Sequence, residues 1–320
     1  MNAGSTPARP ALVVNPTSGK GRGERYGRRA RAALEAAGCE VRHVIGRDAD
    51  DAAKRARAEL DRGADCVVVV GGDGMVGLAL QLVAGTGVPL GVIPAGTGND
   101  VARFLGLPLR DPEAAAAVVA AGSTGRFDLG RITGAGALAP RWFGTVLACG
   151  LDSKVNERAN RMRRPRGPSR YTLALLAELG RFRAIPFAVV ADGARTELDG
   201  MLIAVGNGPS YGGGMMICPQ ADVHDGRFQL TLVDRVSKPV LMRIFPKVFS
   251  GRHVEHPKVG VQHAASVELS CPARPGRPEQ TVSIWADGEW AGVLPARLDT
   301  VPDALLAYVP GPDSVQTEIM

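Results

Sequence analysis

No stretch of this 320-residue chain approaches the roughly 20 consecutive apolar residues that span a bilayer. The nearest run, Ala114 to Ala121, is short and alanine-rich, and Asp111, Pro112 and Glu113 before it mark a helix amino terminus. The opening residues, MNAGSTPARP, contain no apolar signal core. Five cysteines, at 39, 66, 149, 218 and 271, form an odd set without metal-ligand spacing, which implies a reduced, cytosolic compartment. The pattern G-x-x-x-x-G-K-[ST] is missing, since Lys20 is followed by Gly21, and G-x-G-x-x-G occurs nowhere. Internal repeats are also lacking. Together these absences predict a soluble protein, at most peripheral to a membrane, that uses neither the Walker nor the dinucleotide fingerprint.

What is present suits a loop-rich enzyme of two domains. The length exceeds what one core usually organises, 45% apolar residues suffice for two, and the 41 glycines and 23 prolines are spread rather than clustered. A net charge of +6 favours anionic partners: nucleotides, nucleic acid or acidic lipid surfaces. Residues 11 to about 125 alternate apolar strands (ALVVN, VRHVI, CVVVV, LGVI) with helical periodicity, which predicts a doubly wound parallel sheet covered on both faces. From about Phe127 the texture changes to short β-like runs, the signature of an antiparallel sandwich. Helical stretches are expected from Asp152 to Met162, running on through Tyr171 to Phe182, and from Lys238 to Phe249. The pattern assigns no sheet to Ala304–Val309.

The densest information lies in CVVVVGGDGMV, Cys66 to Val76. A buried strand runs into Gly71 and Gly72, and helical periodicity resumes at Met75. Such a turn aims free amides and the positive end of a helix dipole at an anion, although by itself it is equally a tight turn. PAGTGND, Pro94 to Asp100, repeats the arrangement after the next strand, and NPTSGKGRG, Asn15 to Gly23, offers Thr17, Ser18, Lys20 and glycine amides at the same sheet edge. Three such loops predict a nucleotide phosphate site at the strands' carboxyl ends.

NPTSGKG at 15 to 21, GGDGMV at 71 to 76, PAGTGND with Arg103, NGPSYGGGM at 207 to 215, PQADVHDG at 219 to 226 and ADGE at 286 to 289 resemble, in that order, the diacylglycerol kinase catalytic family, which includes bacterial lipid kinases and sphingosine kinases. The resemblance implies an NAD kinase- or phosphofructokinase-like α/β domain over residues 1–127, joined by 299–320, and a β-rich lipid-substrate domain over 128–298. It implies ATP and Mg2+ as cofactors and transfer of the γ-phosphoryl to the primary hydroxyl of diacylglycerol, giving phosphatidic acid. The nucleotide side falls to Asn15, Pro16, Thr17, Ser18, Gly19, Gly71, Gly72, Asp73, Gly74, Met75, Gly96, Thr97, Gly98, Asn99 and Asp100. Asp222, Asp225 and the Arg227 carbonyl match a structural magnesium site, and Asp287 with Glu289 matches the general base. In that family the final strand returns to the first domain. This chain departs from the family where Met75, Gly77 and Leu78 replace Thr, Asn and Glu, removing a hydroxyl that could reach phosphate.

Each reading keeps a plainer rival. Asp73 is either a magnesium ligand, with Asp100 as the other candidate, or a cap on the helix from Met75. Asp287-Gly288 is either the base or only a hairpin turn. Asp222 and Asp225 either converge on a hard cation or sit in a solvated turn. The run Asn156–Arg170, with six arginines, is either a solvated helical face or a contact for anionic lipid headgroups, and its lack of stacking aromatics disfavours nucleic acid. The expected partners are therefore diacylglycerol and an anionic membrane surface at the inner face of the cell membrane. A homodimer is left open. Kinases of another lipid or of NAD, and a catalytically silent nucleotide sensor, remain the alternatives.

Overall fold

A computed structural model describes residues 5–134, 136, 139–162, 173–174, 177–178, 182–273 and 280–311. The chain divides into two compact units, Met1–Leu129 with Pro302–Met320, and Gly130–Val301.

The first unit is built on strands β1 (Pro10–Val14), β2 (Arg42–Val44), β3 (Cys66–Gly71) and β4 (Leu90–Pro94), with helices α1 (Ser18–Ala36), α2 (Ala49–Asp61), α3 (Asp73–Val83), α4 (Asp100–Phe104) and α5 (Pro112–Ala121) between and after them. Every residue of β1, β3 and β4 is buried, as a parallel sheet with both faces covered requires. Strands β2, β1, β3 and β4 pair in that order, all parallel. One side of this sheet packs Leu12, Val14, Val68, Val70 and Ile93 against Tyr26 and Leu34 of α1 and Ala115 and Val119 of α5. Helix α5 starts where its sequence directs, with Asp111 accepting the amides of Glu113 and Ala114 and Pro112 in the first turn. Left-handed residues at Gly19, Lys20 and Gly21 break the first turn of α1, so its regular part begins just after Gly21, close to the Glu24 start its periodicity suggests.

The second unit contains β6 (Arg141–Phe143) and the strands up to β14, with β5 (Thr124–Gly134) leading into it and β15 (Ala296–Tyr308) leading out. Strands β7 (Val146–Gly150), β8 (Ile185–Ala191), β9 (Ala194–Gly206), β10 (Phe228–Asp234), β11 (Val259–Ala264), β12 (Ser266–Ser270), β13 (Ser283–Ala286) and β14 (Glu289–Val293) pair antiparallel. Phe143, Phe187, Ile203, Phe228, Leu230 and Ile284 are the centre of its core. Strands β7, β8 and β10 are buried almost throughout while β12 alternates, and the turns between them are why their sequences read as short interrupted β runs. Helix α6 (Leu151–Arg161) follows β7, and α7 (Lys238–Ile244) continues as a 3₁₀ segment, Phe245–Ser250. The expected continuation from Met162 toward Tyr171 lies outside the described residues.

Strand β15 resolves the segment that pattern left unassigned. Its residues Ala296–Asp299 pair antiparallel with β12, and Ala307 aligns in parallel with Leu90 of β4, so the chain's last strand returns to the parallel sheet of the first unit.

Candidate functional site

Three loops leave the carboxyl ends of β1, β3 and β4, and they interlock. In the first, the Asn15 side-chain oxygen accepts the Thr17 amide at 3.1 Å and the Thr17 hydroxyl at 2.8 Å, fixing the turn before α1. Gly19, Lys20 and Gly21 follow with φ of 58°, 65° and 87°. A Cβ at Gly19 would lie 2.0 Å from the carbonyl oxygen of Ala95, so only glycine lets this loop reach the third one. The second and third loops meet at Gly72 and Gly96, where a Cβ on Gly96 would fall 2.4 Å from the Gly72 Cα.

Asp73 ties the same two loops together. Its carboxylate accepts the Asn99 amide at 2.8 Å on Oδ2 and the Asp100 amide at 2.7 Å on Oδ1. It thus serves the amino end of α4, each of its oxygens accepting one main-chain amide. Asn99 braces the third loop from within, with its Oδ1 accepting the Gly96 amide at 3.0 Å and its Nδ2 donating to the Gly96 carbonyl at 3.2 Å. Thr17, Lys20, Gly74 and Thr97 are exposed along this rim, and Pro16, Ser18, Gly72, Gly96 and Gly98 are half-buried. Gly71, Asn99 and Asp100 are buried.

Met75 does not join the rim. Its side chain is buried and packed so closely over Gly71 that a Cβ there would stand 2.3 Å from the Met75 Cγ, and its amide donates to the Gly72 carbonyl at 2.9 Å. The reason is its place in the first turn of α3, on the face that the helix turns inward. Its replacement of a hydroxyl residue therefore exchanges a polar group for core packing.

In the second unit, Asp287 and Gly288 are the two residues joining β13 to β14, with φ of 51° and 80°. Left-handed conformation at both positions defines the hairpin turn for which Asp-Gly is suited. The turn is also a hub. Asp287 Oδ2 accepts the Gly144 amide at 2.8 Å, and Oδ1 accepts the Thr145 amide at 2.8 Å and the Thr145 hydroxyl at 2.5 Å. Asn207 secures the donors from behind: its Nδ2 donates to the Gly144 carbonyl at 2.9 Å, and the amides of Asn207 and Gly208 donate to the Thr145 carbonyl at 2.8 and 2.9 Å. Burial pushes the Asp287 carboxyl above the usual carboxylate range, opposed first by the Thr145 hydroxyl, then by the two amides and by the Arg141 charge. Glu289 opens β14 and is exposed, and none of the bonds holding Asp287 reaches it. Sequence reasoning had not singled out Gly144, Thr145 or Asn207. The only available signs were a lone hydroxyl inside the apolar run WFGTVLACG and the asparagine that opens NGPSYGGGM.

The family model described as the diacylglycerol kinase catalytic domain matches residues 9–132, and one described as the YegS C-terminal NAD kinase beta sandwich-like domain matches residues 145–309. A protein of Mycobacterium tuberculosis (strain ATCC 25618 / H37Rv) named diacylglycerol kinase is 45% identical over 299 residues, covering 93% of this chain and 94% of that protein. This chain belongs to the diacylglycerol kinase family. A diacylglycerol kinase of Staphylococcus haemolyticus (strain JCSC1435) is 29% identical over 288 residues, 89% of this chain and 83% of its own. The fold is shared with a crystal structure of a diacylglycerol kinase from Bacillus anthracis str. Sterne, which has a TM-score of 0.70 and 19% identity and covers 96% of this chain and 98% of that one.

Two further regions of this kinase carry sequence-predicted candidates. In the turn before β10, Asp222 Oδ1 accepts the His224 amide at 3.0 Å and Asp225 Oδ1 accepts the Arg227 amide at 2.9 Å. Both carboxylates are exposed, and carboxylate and carbonyl oxygens such as those of Asp222, Asp225 and Arg227 are of the hard kind that suits magnesium or calcium. Of the arginine run, residues 163–170 lie outside the described residues; Arg158 pairs with Glu178, and Arg161 pairs with Glu157 at 2.7 Å. No described helix is long and apolar enough to cross a membrane.

Proposed function

We propose that this kinase transfers the γ-phosphoryl of ATP to the primary hydroxyl of diacylglycerol, yielding phosphatidic acid and ADP. The observation carrying this reading is the interlock of three glycine loops through Gly19, Gly72, Gly96 and Asp73, which gathers their glycine-lined turns, with Lys20 and Thr97 exposed, along one rim. Phosphoryl transfer needs little covalent help from a protein, so positioning and charge neutralisation are its main tasks. The amino end of α3 and the Lys20 ammonium contribute positive potential. Bound Mg2+ would supply the remaining neutralisation, with Asp73 and Asp100 the candidate carboxylates to hold it. The Asp222, Asp225 and Arg227 oxygens would hold a second ion that orders their turn.

The acceptor alcohol is a very weak acid, so its proton leaves as its oxygen bonds to phosphorus and the bond from the γ-phosphorus to the bridging oxygen of ADP breaks. Asp287 takes that proton. Because the acceptor stays in a bilayer, the kinase works peripherally, at the inner face of the cell membrane. Labelled ATP supplied with mixed lipid vesicles tests the assignment. Labelled phosphatidic acid is the expected product; labelled NADP in the presence of NAD would make it an NAD kinase, and no product would make it a nucleotide sensor.

A further inference from the structure

Residues 238–250 have two apolar faces. Leu241, Ile244, Phe245 and Val248, at helical spacing, turn inward, where Leu241 and Phe245 pack against Leu151, Val155, Ala159 and Ala174. This is an ordinary amphipathic anchor. The opposite face does not follow the rule that an outward face is polar. Pro239, Met242, Pro246 and Phe249 form a second stripe, with Met242 46% and Phe249 58% exposed.

Charge accompanies that stripe. Arg235, Lys238, Arg243, Lys247 and Arg252 all lie between positions 235 and 254, where no aspartate or glutamate occurs. Lys238, Arg243 and Lys247 are exposed beside the apolar residues. Exposed Met and Phe side chains set among cations are suited to the boundary between lipid headgroups and acyl chains, where the apolar groups leave water and the cations meet anionic phosphates. A second copy of the chain is a poorer occupant, because a two-fold contact through this face would bring Arg243 and Lys247 against their own counterparts.

We infer that the outward face of residues 238–250 is the membrane-docking surface of this kinase, seated on an anionic bilayer. The inference deepens the lipid-kinase reading and rests on it for the bilayer-borne acceptor. Met242 and Phe249 are the inserted side chains, and Lys238, Arg243 and Lys247 hold the headgroups. The arginine run is a different part of the chain and is not needed for this contact.

Sedimentation with phosphatidylcholine vesicles, with and without phosphatidylglycerol, tests the assignment on the full chain. The wild-type protein is expected to pellet with the anionic vesicles and to be released by salt. Arg243→Gln with Lys247→Gln should weaken partition about fivefold for each cation removed. Met242→Ser with Phe249→Ser, which leaves charge unchanged, should weaken it about tenfold or more. Both double variants should retain wild-type turnover on a short-chain diacylglycerol dispersed in water, showing that the fold and the catalytic residues are intact. Unchanged pelleting of both variants would overturn the inference. So would a dimer in sedimentation velocity that Phe249→Ser dissociates, since the face would then join two copies. Pelleting as expected without phosphorylation of any lipid would leave the docking surface standing and refute the acceptor instead.

Discussion

Replacing Thr145 with valine removes one donor from the Asp287 carboxylate while keeping nearly the same shape. Thr145 is buried, so its γ-methyl partner in valine meets no solvent, and the two main-chain amides from Gly144 and Thr145 stay in place. The lost bond is the 2.5 Å contact from the hydroxyl to Oδ1. Hydrogen bonds to charged groups contribute about 1.5–3 kcal/mol, and one pKa unit corresponds to about 1.4 kcal/mol. The donor favours the ionised form, so its loss moves the Asp287 carboxyl up by about one to two units. A carboxyl that holds its proton cannot take one from the lipid hydroxyl. Below the new pKa activity therefore falls, and the acid limb of kcat/KM against pH moves to higher pH by the same one to two units. At alkaline pH, where the carboxylate is ionised in both proteins, the rates should converge. The assay is phosphatidic acid formation across pH, with Thr145→Ser, which keeps the hydroxyl, restoring the wild-type limb. A valine variant with reduced thermal stability but an unmoved acid limb would show that Thr145 only packs, and that Asp287 does not govern the proton.

Asp287→Asn should abolish most phosphorylation while ATP affinity, followed by nucleotide-induced thermal shift, is retained; near-normal turnover would remove Asp287 from the chemistry. Gly96→Ala places a Cβ 2.4 Å from the Gly72 Cα, which should cost about 1–3 kcal/mol of stability and raise KM for ATP at least about tenfold, and an ATP KM unchanged in steady-state kinetics would refute the interlock. Asp73→Asn loses the charge that holds the Asn99 and Asp100 amides, and should weaken ATP about tenfold to a hundredfold without altering KM for lipid. Equal losses for both substrates would show general damage instead. Burial holds the Asp152 carboxyl up to about 6, against donors from Tyr211 and Asn156. Its folded form then keeps a proton that the unfolded chain releases near pH 4, so stability declines as pH rises between about 4 and 6. Asp152→Asn should flatten that decline and gain at most about 3 kcal/mol at pH 7 in denaturant titrations; an unchanged profile would mean that the carboxylate is not desolvated.

The parallel sheet and its three loops were legible because both are local. Val67–Val70 must be a buried strand, and Gly71-Gly72 must be a turn, whatever else the chain does. The contact of Gly72 with Gly96 was not legible, since it depends on how far apart β3 and β4 bring their loops. Asp73 shows the same limit: its sequence position suggests a cap for α3, while its carboxylate accepts two amides at the start of α4, after the neighbouring strand. Met75 sits one turn into a helix whose inward face cannot be told from its outward face when both Met75 and Leu78 are apolar. Gly144, Thr145 and Asn207 carried almost no signal, because their role exists only once Val146 of β7 stands beside the β13–β14 turn. The resemblance to a kinase family supplied Asp287, and only the structure supplied what holds it.

A carboxylate on a two-residue hairpin turn is not an obvious choice for a base, and the way Asp287 is held suits the role proposed for it. The left-handed φ of 51° at Asp287 suits Asp better than most residues, so the turn and the side chain ask for the same amino acid. The hairpin fixes the Cα, and three donors from one two-residue segment fix both oxygens. Those donors alone would make the carboxylate a weak base by stabilising its charge. Burial acts in the opposite sense and outweighs them, so the carboxyl ends above its ordinary value. Orientation and basicity thus come from separate sources: the Gly144-Thr145 segment aims the group, and desolvation raises its appetite for a proton. Removing a donor should cost orientation and shift pH dependence, whereas opening the site to water should lower basicity without disturbing the aim.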